Sequence, residues 1–406
     1  MTSPPGKPAQ SGHLPAPSAE ALAHSRRVAG FIHAEIAAAG GWVPFSRYME
    51  MALYAPGLGY YSAGARKLGA EGDFTTAPEM SPLFGQVLAR QVQELFSGEG
   101  LPRVILEIGA GSGALAAALL EELARLDALP EQYLILELSA DLRQRERDTL
   151  AERVPALLDR VAWLNRLPPA FSGVIIGNEV LDAMPVELFR VGADGPEQGG
   201  VRAVKYATGA AGATGAAHEF EMAWRPATGA LAEAVVSLDL APGYLSEVGL
   251  VAGGFIASIA AMLERGATLF IDYGFPRAEY YHPQRAEGTL MCHYRHRSHD
   301  DPFFLPGLQD ITAHVDFSAV AAAAHAGGLE VLGYVTQSQF LVNCGITEVL
   351  SRIDPSDLRA YLPLAGAAQH LLSPAEMGEL FKVIALGKGP LWQPLGFSQG
   401  DKTHRL

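Results

Sequence analysis

The sequence is poor in cysteine, short of positive charge, and without any long apolar run. Two cysteines, Cys292 and Cys344, stand among 406 residues, which excludes a disulfide scaffold and any CxxC metal clip. No stretch reaches the 18 uninterrupted apolar residues a bilayer-crossing helix needs; the nearest, Val251 to Leu263, is 13 residues long and broken by Ser258, so no membrane insertion is expected. The first 18 residues hold Pro4, Pro5, Pro8, Pro15 and Pro17, no apolar core of a secretory leader, and no arginine before Arg26. A cytoplasmic protein with a disordered stretch over residues 1–18 is expected. Thirty Lys+Arg against 44 Asp+Glu leave a formal charge of −14. That balance speaks against a phosphate-tracking nucleic-acid binder and against an anionic membrane surface. It suits a cationic partner such as a basic peptide. What is abundant is apolar. Hydrophobic residues make up 49% of the chain and charged ones only 18%, enough for a large core and too much for wholesale disorder.

Residues 19–100 read as a helical N-terminal extension. An Ala-rich helical pattern from Ala19 closes at Gly40-Gly41, and a Gly/Tyr-rich loop follows over Tyr54 to Tyr61. From about residue 101 the texture changes to alternating strands and helices. Arg103 to Ile108 is a buried strand, Ala114 to Arg125 a helix, Tyr133 to Glu137 a strand and Asp141 to Val154 a charged helix. Val161 to Leu164, Val174 to Ile176 and Thr268 to Ile271 are further strands, with a helix near Val251 to Glu264 before the last. Continuous apolar strands alternating with helices imply an α/β fold with a mostly parallel sheet covered on both faces. This main domain is expected over 101–389, with insertions at about 187–226 and 276–380 and a tail at 390–406. The first insertion carries strand-like runs around an Ala/Gly tract from Thr208 to Ala217, a flexible hairpin tip. Val331 to Val335 and Phe381 to Leu386 are an apolar pair able to close the sheet.

Glu107-Ile108-Gly109-Ala110-Gly111-Ser112-Gly113 lies between a strand and a helix. Glycines at 109, 111 and 113 permit a tight turn and close approach of a ligand, and the helix beyond presents unpaired N–H groups. Such a loop, at the C-terminal end of a parallel strand, marks the ligand crevice. Gly109, Gly111 and Ala114 also satisfy the relaxed dinucleotide pattern, so a nicotinamide-dependent oxidoreductase remains an alternative. Glu107, two residues before the first glycine, favours S-adenosylmethionine, whose amino-acid end is positive. Glu137, ending the second strand, suits the two ribose hydroxyls of either cofactor. The run Met291 to Asp301 holds Cys292, His293, His296 and His299, but its spacing matches no zinc clip, and Arg295 and Arg297 repel a cation. No metal is assigned.

In combination, several motifs make the sequence similar to a known family. They are Gly72-Asp73-Phe74-Thr75-Thr76-Ala77-Pro78-Glu79-Met80-Ser81-Pro82-Leu83-Phe84-Gly85, the glycine loop, Asn178-Glu179-Val180-Leu181-Asp182-Ala183-Met184-Pro185, Asp272-Tyr273-Gly274-Phe275, and a C-terminal signature from Gly288 through Phe317. The sequence resembles the MidA-type family, which includes the mitochondrial complex I assembly-factor protein-arginine methyltransferase and its bacterial relatives. The resemblance runs from about Gly41 to Gly389. It implies a Rossmann-like class I methyltransferase fold, S-adenosylmethionine as cofactor, and a protein substrate with a basic side chain, arginine first, in a respiratory-chain subunit. It also places Asp73 and Thr75 on a lid over the cofactor, and turns the His293–His299 loop toward substrate. A guanidinium acceptor calls for carboxylates that grip it through forked hydrogen bonds. Glu179 supplies one and, with Asn178 beside it, is also a candidate at the cofactor; Asp182 joins it if that segment is helical. Glu247 is a further candidate. A cofactor-binding assembly chaperone without turnover is the alternative from another class, and a homo-oligomer is compatible with either.

Overall fold

The computed structural model describes residues 14–63, 76–97, 101–204, 219–389 and 392–406, and the chain divides into two compact units. One takes the described residues up to 63 with those of 185–248 and 283–313. The other takes those of 76–184, 249–282 and 314–406.

The second unit is built on strands β1 (Val104–Ile108), β2 (Gln132–Leu136), β3 (Val161–Leu164), β4 (Phe171–Asn178), β5 (Leu263–Phe275), β6 (Glu330–Thr336) and β7 (Phe381–Lys388). Their order across the sheet is β6-β7-β5-β4-β1-β2-β3. Strands β1 to β5 pair in parallel, while β7 runs antiparallel to both β5 and β6. The mostly parallel sheet is thus present, and the expected apolar pair closes one edge of it. Along β1 and β4 alternate residues enter opposite cores: Ile105, Val174 and Ile176 one way, Leu106, Ile108 and Ile175 the other. Burial on both faces explains why these strands read as continuous apolar runs.

Helices α1 (Pro82–Phe96) and α2 (Ala114–Arg125) contribute to the first of those cores, and α4 (Leu250–Met262) and α5 (Phe317–Ala326) to the second. Between them in sequence lies α3 (Ala140–Arg153). Helix α1 starts where Ser81 Oγ accepts the Leu83 N–H at 3.1 Å and Pro82 opens the first turn. Helix α2 consists of Ala, Leu, Glu and Arg, all strong helix formers, and buries nearly every apolar residue it has. Helix α3 shows only Leu142, Glu146 and Leu150 to the interior, one stripe at four-residue spacing.

Two domain expectations differ from what is seen. Residues 19–100 are not one extension: α1 belongs with the parallel sheet, because its Leu83, Phe84, Val87, Leu88, Val92 and Leu95 form an apolar stripe buried in that core. The stretch 276–380 is likewise divided, with 283–313 in the other unit and β6 in the sheet. The tract 208–217 lies outside the described residues.

The first unit holds an antiparallel sheet of Val43–Pro44, Glu187–Gly192, Gly195–Ala203, Phe220–Pro226 and Leu245–Val248, with helices Ala19–Ala38 and Phe45–Tyr54. Val28, Ile32, Phe45, Tyr48, Val201 and Phe220 make its core, where Tyr48 donates its hydroxyl to the Pro302 carbonyl at 2.8 Å. Met291–Tyr294 and Arg297–His299 form a hairpin whose two turn residues, Arg295 and His296, both have positive φ, at 48° and 59°. Burial pushes His293 on that hairpin down to about 4, so it stands neutral.

Candidate active site

Neighbouring strands β1 and β4 mark the point where strand order reverses, and crevices in such sheets open outside the strand C-termini there. Four chain segments end at that place: the glycine loop after β1, Glu137 after β2, Asn178 to Asp182 at the end of β4, and Asp272-Tyr273 on β5.

Gly109, Gly111 and Gly113 have φ of 68°, 61° and 80°, the left-handed region a side chain disfavours. A Cβ on Gly113 would lie 3.0 Å from the Cα of Glu146 on α3. Ser112 Oγ in the loop donates to Glu79 of the short helix Ala77–Met80. Glu79 was not among the residues expected at the site, although it is the one acid between Ala77 and Phe84 of the long motif. Asp73 and Thr75 lie outside the described residues.

Three carboxylates gather behind the loop. Glu107 is buried in β1 and accepts the Tyr133 hydroxyl from β2 at 2.7 Å; burial pushes it up to about 7 against that bond. Glu137 is buried and accepts the Ser139 N–H at 2.7 Å, while Arg143 grips its carbonyl at 2.6 Å. The third, Glu146, was not foreseen. It sits fully buried in the α3 stripe, with Oε2 accepting the Trp163 indole N–H at 2.7 Å and Oε1 buried without a hydrogen-bond partner. Burial, then the Glu137 charge, raises it to about 8. In the unfolded chain the same carboxyl titrates near 4.5. Its stabilising contribution is therefore full below pH 4.5 and lost as pH rises to about 8. Glu146→Gln keeps the shape and removes the titration. Thermal unfolding should show the wild type falling behind this variant by several degrees between those pH values. Parallel curves would contradict the assignment.

At the end of β4 the backbone is strained. Glu179 has φ of 53°, in the left-handed region, yet its N–H still bonds the Ile271 carbonyl of β5 at 2.8 Å. Asn178 Nδ2 donates to Glu179 Oε1 at 3.0 Å. The segment 179–182, whose helicity is the condition for Asp182 to join Glu179, is a turn and not a helix. Asp272 Oδ2 takes the N–H groups of Val180, Leu181 and Asp182 at 3.2, 2.9 and 3.2 Å, and Pro185 disfavours helical backbone at the residue before it. The structure still brings Asp182 to the same segment: it is 6% exposed, accepts the Tyr273 hydroxyl on Oδ2 at 2.5 Å, and is pushed up to about 6 by burial. Its Oδ1, like the Oδ1 of Asn178, is buried with no hydrogen-bond partner. Asp272 is raised well above the usual carboxylate range, first by burial and then by the charges of Asp182 and Glu179.

Glu247 belongs to the other unit. Its carboxylate accepts the N–H groups of Thr289, at 2.8 and 3.1 Å, and of Leu290, at 2.8 Å, and it is 2% exposed. Those bonds tie the strand Leu245–Val248 to the segment 288–290, and the structure does not bring Glu247 together with Glu179 in one unit.

Residues 87–335 match the family model described as "Putative S-adenosyl-L-methionine-dependent methyltransferase". Among curated relatives, the mitochondrial protein arginine methyltransferase NDUFAF7 of Mus musculus is 30% identical over 378 residues, covering 85% of this chain and 81% of that protein. The Drosophila melanogaster homologue is 28% identical over 387 residues, covering 86% and 83%. A solved structure from Burkholderia thailandensis, bound to S-adenosyl-homocysteine, is 52% identical with a TM-score of 0.91, covering 97% of this chain and all of that one. These matches resolve the ambiguity of the glycine loop in favour of S-adenosylmethionine over a nicotinamide. The relatives' names place them in mitochondria, so they lend no support to the cytoplasmic expectation. Among the described residues no helix is long and apolar enough to cross a membrane.

Proposed function

The chain belongs to the S-adenosylmethionine-dependent methyltransferases, and from that premise we propose that its acceptor is an arginine side chain of a protein substrate. The names of the curated relatives support the acceptor class. The observation that carries it is local: a carboxylate, Glu179, held in a strained conformation at the switch point, with buried Asp182 three residues further on.

S-adenosylmethionine, when bound, supplies a sulfonium methyl whose leaving group is already in place, so the protein's task is to align groups and exclude water. The residues present fit that ligand. The positive-φ glycines keep side chains off the loop, and the buried Oδ1 of Asn178 is an acceptor awaiting a donor. Glu137 is assigned to the ribose hydroxyls, and Glu107 puts a carboxyl behind the loop for the ammonium end. Asp73 and Thr75 are assigned to the cofactor. A guanidinium stays protonated at any working pH. Glu179 grips it through a forked pair of bonds, and Asp182 Oδ1 accepts a further N–H, steered by the Tyr273 hydroxyl on Oδ2. A respiratory-chain subunit is the partner class that the family resemblance suggests.

Incubation with S-adenosylmethionine labelled in the methyl group and a basic peptide containing one arginine tests the reading. Acid hydrolysis should return label in methylarginine, and an Arg→Lys peptide should take up almost none. Label on lysine would overturn the acceptor assignment. Binding of both ligands with no label transferred would favour the chaperone alternative.

A further inference from the structure

Asp272 is wholly buried on β5, one residue beyond Ile271, which stands opposite Asn178 in the sheet. A single oxygen of it, Oδ2, accepts three consecutive backbone N–H groups, those of Val180, Leu181 and Asp182. Its other oxygen, Oδ1, accepts the Tyr273 N–H at 2.9 Å, which fixes the carboxylate's own orientation. On the near side of Glu179 a second anchor holds: the Glu179 N–H bonds the Ile271 carbonyl at 2.8 Å. Glu179 is thus bracketed by two sets of bonds from consecutive residues of β5, and between them it adopts φ of 53°. A non-glycine residue keeps such a conformation only where its surroundings over-determine it. Without the Oδ2 anchor, three N–H groups, two of them buried, lose their acceptor and Glu179 is free to return to negative φ, which turns its side chain elsewhere.

We propose that Asp272 is the positioning residue that aims Glu179 at the cationic acceptor, by gathering the N–H groups of residues 180–182 onto one carboxylate oxygen. The inference rests on the reading of Glu179 as the acceptor's grip. Tyr273 extends the device, since its hydroxyl sets the Asp182 carboxylate. Two adjacent residues at one strand end thereby fix both acids.

Calorimetry on the full chain with the basic arginine peptide, saturated with S-adenosyl-homocysteine, tests this through E179Q, D272N and the double variant. The near-isosteric D272N keeps the volume but replaces one acceptor oxygen with an NH₂ that faces backbone donors. Each single variant should weaken the peptide by about tenfold, and the double variant no more than E179Q alone. S-adenosyl-homocysteine affinity should stay within about twofold in all four proteins. A D272N effect that multiplies in full on the E179Q background, or no D272N effect while E179Q weakens binding, overturns the positioning role and leaves the Glu179 reading standing. An unaffected E179Q removes that reading and the inference with it. Hydrogen exchange on the wild type needs no variant: the amides of Val180, Leu181 and Asp182 should exchange as slowly as those of β4. Rapid exchange there overturns the clamp.

Discussion

Gly113→Val should reduce S-adenosylmethionine affinity by about 100-fold or more, which corresponds to about 2.7 kcal/mol. Two independent effects add. Valine, β-branched, disfavours a φ of 80° more strongly than most residues, and left-handed backbone costs about 1–2 kcal/mol even without branching. The new Cβ would also lie 3.0 Å from the Cα and 3.3 Å from the carbonyl oxygen of Glu146, atoms of helix backbone that cannot step aside. Overpacking of that kind typically adds about 1–3 kcal/mol. The loop must therefore lift from α3, and the N–H groups at the start of α2 lose their alignment. Gly113→Ala, without the branch, should fall between valine and wild type. Calorimetry on protein checked by thermal unfolding decides it. Affinity within about threefold of wild type for the valine variant would mean the loop does not hold the cofactor.

Glu179→Gln should lower kcat/KM for an arginine peptide by about 10³-fold while S-adenosylmethionine affinity stays within about twofold. Glutamine preserves size but loses the charge and one of two acceptor oxygens, so a forked grip on a guanidinium is no longer available. Charge-assisted hydrogen bonds at about 1.5–3 kcal/mol each account for a loss of that order, of which about tenfold appears in peptide binding and the rest only in the transition state, where the grip aligns the acceptor. The strained backbone adds a second, opposite signature. Glu179→Gly relieves the φ of 53° and should raise the unfolding temperature slightly while abolishing transfer. A substitution that is better for the fold and fatal for the reaction is what a functional residue in a strained conformation produces. Equal rates for Glu179→Gln and wild type, measured with saturating cofactor, would refute the role.

Much of the sheet was legible because its signals are local. Val104 to Ile108 is apolar but for Glu107 and runs straight into glycines, a pattern that fits a buried parallel strand leading into a ligand loop. The place of Glu179, just past a buried strand, was legible for the same reason. The residues that escaped depend on distant partners. Glu146 lies in Asp141-Leu142-Arg143-Gln144-Arg145-Glu146-Arg147, which reads as a solvated helix face until the helix is docked and its Leu142–Glu146–Leu150 stripe turns inward. Asp272 acts on Leu181, 91 residues earlier in the chain, through a strand register that no local pattern encodes. The turn at 179–182 has the same origin: a carboxylate from a distant strand holds the N–H groups of Val180, Leu181 and Asp182. The partners of Glu247 were hidden for the same reason: nothing local points to Thr289 and Leu290, 42 and 43 residues away.

The most direct measurement is mass spectrometry of arginine methylation in the native cell, comparing wild type with a strain carrying Glu179→Ala at the same locus. The account predicts at least one protein with a methylated arginine in the wild type, unmodified in the variant although the variant protein is present at normal level and retains S-adenosylmethionine binding. An arginine methylation pattern identical in the two strains, with methyl groups missing from another residue type instead, would contradict it.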